Sequence, residues 1–325
     1  MPNPFLGAIK KVLGMAGSLA GGPPAVLVLN YHRVLPQIDL MMPDEPDVAM
    51  FAMQMSVIAR HFRVLPLIDA LDELYSGNLQ TPTVAVTFDD GYACISDLAL
   101  PVLQRTGVPA TVFIAPGILN GGLMFNDALI EIFRNAPAGR LDLQSLDLGE
   151  WALDDWEQRR LAASKTIMQA KYLPMQKRQS VVNDAARRAG VILPDNLMLT
   201  SEQLCRLNQC ELVDIGAHTV NHPILSQMND AAAAAEICDS KADLERILNT
   251  PVELFAYPNG KPGVDYLPQH VLQVKHAGFR YAVATSTGVV LRQSDRYQLP
   301  RMGLWDRTSF RFLVRICLLL SSKQG

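Results

Sequence analysis

Two periods of apolar residues run along this chain. Short apolar runs without clear alternation occupy Val26–Tyr31, Thr83–Phe88, Ala110–Ile114, 253–256 and 280–284, and predict strands buried on both faces of a parallel sheet. Between them, apolar positions recur at helical spacing. Residues 47–62 carry Met50, Phe51, Met55 and Ile58 on one stripe, and 67–75, 96–106, Asp230–Leu248 and 266–277 read as further helices. Strands alternating with helices in this way predict an α/β domain.

The pattern changes between residues 114 and 212. Three mixed-face helices are predicted at 126–134, 153–172 and 176–189, punctuated by Pro137, Gly139, Pro174, Gly190 and Pro194. This stretch is expected to be a helical insertion, 117–200, within a domain spanning 23–305. A segment 1–22 precedes that domain and an apolar helix 306–325 follows it. Within the insertion, Asp154-Asp155-Trp156 is followed by Glu157 and Arg159 with no strand before it, which predicts a solvated helix face rather than a site.

The candidate chemistry sits at two strand ends. The run Val84-Ala85-Val86-Thr87-Phe88 ends in Asp89-Asp90-Gly91-Tyr92, placing two adjacent carboxylates where α/β folds keep their functional groups. Adjacent residues point to opposite sides of a strand, so one carboxylate can hold a metal while the other acts as a base. The apolar stretch 212–215 leads to Gly216-Ala217-His218-Thr219-Val220-Asn221-His222-Pro223. One helical turn or a tight loop would bring His218 and His222 to the same side. Two neutral imidazoles and a carboxylate make an open site for a divalent metal, with water in the remaining position.

Together these segments resemble the polysaccharide deacetylase family, the NodB-like carbohydrate esterases. The family's T-F-D-D-G motif is matched by residues 87–91 and its H-[ST]-x-x-H motif by residues 218–222. The resemblance runs from about Val26 to Arg301, broken by the insertion. It implies a distorted (β/α) barrel of about seven parallel strands. It also implies a metal-dependent hydrolase that removes N-acetyl groups from N-acetylhexosamine units of a polysaccharide, oligosaccharide or lipid-linked glycan. Asp90, His218 and His222 would be the ligands, with zinc the first choice of metal and cobalt, nickel or manganese as alternatives. Asp89 would be the general base.

Two departures refine the picture. The family's third motif carries an arginine before its proline, whereas this chain reads Phe255-Ala256-Tyr257-Pro258-Asn259-Gly260. Tyr257, Pro258 and Asn259, with Tyr92, are the substrate-binding candidates. Arg301, in Leu299-Pro300-Arg301, could supply the missing guanidinium beside Asp89, or could equally anchor a loop. Most relatives also place a catalytic histidine in a late L-x-H motif, absent around residues 299–302. A subgroup has Y-H-x-V near its start, like a circular permutation, and Tyr31-His32-Arg33-Val34 fits it. His32 would then be the general acid; a histidine bonding a loop carbonyl is the alternative.

Composition adds boundaries. With 325 residues, 49% of them hydrophobic, the chain can bury a large core. A net charge of −3 offers no footprint for nucleic acid. Five cysteines without framework spacing are expected to be small core residues of a reducing compartment, in keeping with a cytoplasmic protein. Lys10 and Lys11 interrupt the apolar pattern of residues 1–19, favouring an amphipathic helix over a secretory signal. The segment 310–320 is too short and, with Arg311 and Arg315, too charged to span a bilayer. It would dock on the barrel or pair with the N-terminal segment as a contact with the inner face of the membrane. Hydrolysis of another small amide and an inactive glycan-binding role are the competing functions, because fold does not fix substrate.

Overall fold

The computed structural model describes residues 24–321. Strand β1 (Val26–Tyr31) is followed by helix α1 (Val48–His61), short strand β2 (Arg63–Val64), helix α2 (Leu67–Ser76) and strand β3 (Thr83–Phe88). A π-turn (Ile95–Ala99) runs into α3 (Leu100–Thr106), and β4 (Ala110–Ile114) follows. The expected helix 96–106 is thus wound in two ways. Pro101 at its second turn lacks an N–H and cannot continue an unbroken α-ladder.

The insertion contributes α4 (Phe125–Asn135), β5 (Arg140–Asp142), β6 (Glu150–Ala152), α5 (Trp156–Ala170) and α6 (Met175–Ala189). The chain continues through α7 (Ser201–Asn208), β7 (Val213–Ala217), α8 (Asp230–Leu248), β8 (Leu254–Ala256), α9 (Pro268–His276), β9 (Tyr281–Val283) and α10 (Ser309–Ser321). The insertion is therefore not purely helical, because β5 and β6 form an antiparallel pair. Strands this short leave no periodic signature. Asp155 caps α5, accepting from the Gln158 N–H, so the acidic triplet is a helix start.

All pairings of the main sheet are parallel, in the order β1-β3-β4-β7-β8-β9, with β2 beside the start of β3. Residues 299–302 bridge its two edges. Leu299 exchanges backbone hydrogen bonds with Ala282 and Ala284, and Met302 with Val28 and Asn30. The sheet thereby curls into a distorted barrel.

Alternation sorts the strand residues into two cores. Val26, Val28, Ala85, Phe113, Leu254, Ala256, Val283 and Leu299 fill the barrel, plugged at the N-terminal ends of the strands by Leu67, Ala70, Leu71 and Leu74 of α2. The opposite faces pack outward with α1, α8 and α10. Gly216 faces inward, and a Cβ there would come within 2.5 Å of the Phe113 ring. The insertion lobe has its own core, including Leu129, Phe133, Leu143, Val182 and Ala185.

Helix α10 buries Phe312, Ile316, Cys317 and Leu320 against the barrel, each worth roughly 1.5–3 kcal/mol for a large side chain. Its apolar stripe is thus occupied. No helix among the described residues is long and apolar enough to cross a membrane. The expected amphipathic segment 1–22 lies outside those residues. Of the cysteines, only Cys317 is buried and Cys238 is exposed, correcting the expectation that all are core residues.

Candidate active site

Inward-facing positions at the C-terminal ends of the strands turn from apolar to polar. On β1 the series Val26, Val28 continues to Asn30; on β3, Ala85 continues to Thr87 and then Asp89. Leu299 on the closing segment continues to Arg301, whose side chain is fully buried. Its Nη1 and Nη2 donate to the two Asp89 oxygens at 2.7 and 2.9 Å. Asn30 donates to Asp89 Oδ2 at 3.2 Å and accepts from Arg301 Nη1 at 3.1 Å, while Thr87 accepts from the same Nη1 at 3.2 Å. Burial pushes the Asp89 carboxyl up, but the Arg301 charge and hydrogen bonds, with His218 and His32 nearby, outweigh it and hold it below the ordinary range.

Asp90 leaves the strand in the left-handed region, φ 75°, followed by Gly91 at 85°. This turn swings its carboxylate away from Asp89 and toward the histidines. His218 continues the inward face of β7, and the loop after it returns through Thr219 (φ 60°) and His222 (φ 53°). Both imidazole Nε2 atoms lie 3.4 Å from Asp90 Oδ1. His218 Nδ1 is 2.7 Å from the Ala256 carbonyl, so Nδ1–H donates and Nε2 keeps its lone pair toward Asp90. Glu236 of α8 fixes the loop, accepting from the N–H groups of Val220 and Asn221 and from Asn221 Nδ2, each at 2.8 Å.

These groups fit a metal. Among the described residues, Asp90, His218 and His222 bring ligand atoms within 4.8 Å of one another, and Asp90 Oδ1 is buried with no hydrogen-bond partner. An unsatisfied buried carboxylate oxygen facing two imidazoles is the donor set of a zinc-like ion. Burial drives His222 down to about 4, so its ring is neutral and able to ligate at neutral pH.

These candidate groups open into a cavity of about 510 Å³ whose walls include His32, Asp89, Asp90, Tyr92, His218 and His222. His32 Nε2 is 3.9 Å from Asp89 Oδ2, and its side chain is 46% exposed. Asn259 lines this cavity, as does Tyr92, whose hydroxyl donates to Asp127 at 2.9 Å. Tyr257 and Pro258 do not line it, which corrects their placement as substrate-binding residues. Alternation along β8 turns Phe255 and Tyr257 outward, where Tyr257 is fully buried and stacked on Tyr266 at 3.8 Å. Four participants lay outside the sequence-based candidates. Asn30 could have been found from its inward parity two residues before His32. Asp127, Arg33 (its Nη1 3.7 Å from Asp127 Oδ1) and Glu236 carry no local signal.

The polysaccharide deacetylase family model matches residues 76–131 and 180–282. The match covers residues 87–91 and 218–222 and leaves out the segments bearing His32 and Arg301. No curated protein sequence matches the chain. Among solved structures, it is similar to the Streptococcus pyogenes deacetylase PplD, solved with acetate. The TM-score is 0.61 at 17% identity, over 90% of this chain and 98% of that one. It is similar to IcaB from Ammonifex degensii, with TM-score 0.60 and 17% identity over 93% and 99% of the two chains. A de-N-acetylase from Aggregatibacter actinomycetemcomitans gives TM-score 0.55 and 16% identity over 90% and 99%. Residues 76–131 and 180–282 thus match a polysaccharide deacetylase domain, and the solved deacetylases share the fold of the chain.

Proposed function

We propose that this protein is a metal-dependent de-N-acetylase of N-acetylhexosamine units in a glycan, releasing acetate and leaving a free amino sugar. The observation that carries the reading is the pairing of two differently served carboxylates. Asp90 meets two imidazoles and has an unpartnered oxygen, whereas Asp89 is gripped by Arg301. Similarity to proteins described as a deacetylase with acetate and as a de-N-acetylase supports the same chemistry.

Asp90, His218 and His222 would hold the ion, zinc being the first choice for two nitrogens and one oxygen. When bound, such an ion supplies Lewis-acid polarisation of the acetyl carbonyl and lowers the pKa of a water. Asp89, held ionised by Arg301, accepts the proton of the attacking water. A backbone N–H of the Tyr92 turn helps neutralise the oxyanion of the tetrahedral intermediate. His32, at the rim of the same cavity, delivers a proton to the departing amine. The chain outside the motifs thus supplies both the acid and the residue that aims the base.

The test is acetate release from N-acetylglucosamine oligomers, with the amine product identified by mass spectrometry. Wild type should release acetate. Asp89→Asn should keep its metal and lose roughly 10²–10⁴-fold in turnover. Full turnover in that variant would remove Asp89 from the mechanism.

A further inference from the structure

The catalytic cavity is the middle one of three that share walls. Through His32, Asp44, Glu45 and Thr285 it meets a cavity of about 800 Å³ on one side. Through Lys171, Arg178 and Ile224 it meets another of about 640 Å³. The first is built by the closing segment and the start of α10, the other by the α5–α6 turn of the insertion lobe. Each carries a large exposed aromatic side chain, Trp305 at 60% and Tyr172 at 53%. Single exposed aromatics are ordinary, but one on each wing of a continuous groove, with the catalytic groups between them, is an arrangement that stacks ring faces.

Trp305 is also held in place. Its indole lies on Gly303, where a Cβ would come within 2.7 Å of Trp305 Cζ2, so the missing side chain makes the seat for the ring. A ring pinned at its back and open at its front loses little freedom when a partner stacks on it.

We propose that the glycan crosses the active site, with the reacting sugar in the middle cavity and outlying sugars stacked on Trp305 and Tyr172. This rests on the de-N-acetylase reading and adds to it the length of the substrate. The chain occupies both wings, and acetyl groups are removed from internal sugars. Both platforms lie outside the segments matched by the family model.

N-acetylglucosamine oligomers from dimer to hexamer are the probe, with kcat/KM for acetate release measured at each length. In the wild type kcat/KM should rise with length, and tandem mass spectrometry should find acetyl loss at internal sugars. Trp305→Ala and Tyr172→Ala should each lower the hexamer-to-dimer ratio roughly fivefold, with Trp305→Phe restoring most of it. A general folding defect would lower both lengths together and leave the ratio alone. An unchanged ratio in either alanine variant overturns the platform at that residue. A flat length profile, or acetyl loss confined to a terminal sugar, overturns the crossing groove while the de-N-acetylase reading stands. No acetate from wild type at any length overturns that reading, and this one with it.

Discussion

Arg301 grips Asp89 with both terminal nitrogens, at 2.7 and 2.9 Å, across 212 residues of sequence. The pair is buried, fork-to-carboxylate, and braced by Asn30 and Thr87. Removing one member of such a pair leaves a buried charge without its partner. Arg301→Ala should therefore lose about 3–5 kcal/mol of stability, measured by denaturant unfolding. Arg301→Lys keeps the charge but not the planar fork. It should fold and lose roughly ten- to hundredfold in kcat. Normal turnover in Arg301→Lys would show that the orientation of Asp89 does not matter.

Glu236 positions the loop that carries the two candidate metal ligands, His218 and His222. It touches neither imidazole, yet its carboxylate collects three donors from Val220 and Asn221, between the two histidines. Glu236→Gln keeps one acceptor oxygen and loses the second. Zinc affinity, measured by competition with a chelating dye, should fall about 10–100-fold. Unchanged affinity would mean that Thr219 and the backbone hold the loop unaided.

Asp127 gives a pH signature. Burial raises its carboxyl to about 7, with Arg33 and the Tyr92 hydroxyl opposing and Asp90 and Glu131 adding. The folded state therefore holds this proton between the ordinary carboxylate pKa and about 7, where the unfolded chain has released it. Stability from this group is complete below pH ~4 and declines as pH rises through that window. Asp127→Asn stays neutral throughout. The melting temperature of the variant minus that of wild type should grow by several degrees from pH 4 to pH 8. A constant difference would show that Asp127 is ionised across the range.

Much of this architecture was legible in the sequence because buried strands announce themselves. The bounds of β1, β3 and β4 coincide with their apolar runs. The grouping of Asp90, His218 and His222 was legible because Asp90 and His218 lie just past strand ends and His222 follows at a spacing that a turn can close. Tyr257 was misplaced because a motif shows which residues are near a site, whereas strand parity decides which way each points. The hairpin β5–β6 was invisible because three-residue strands carry no period. Asp127 and Glu236 reach the site from helices, by folds of the chain that local sequence does not record.

We propose above that Asp90, His218 and His222 hold one catalytic ion for amide hydrolysis. The most direct test is acetate release from an N-acetylglucosamine oligomer by enzyme stripped with a chelator and titrated with zinc. No release is expected from the stripped enzyme and recovery should saturate at one ion per chain, with His218→Ala failing to recover. Full release by the stripped enzyme, or full recovery by His218→Ala, would contradict the proposal.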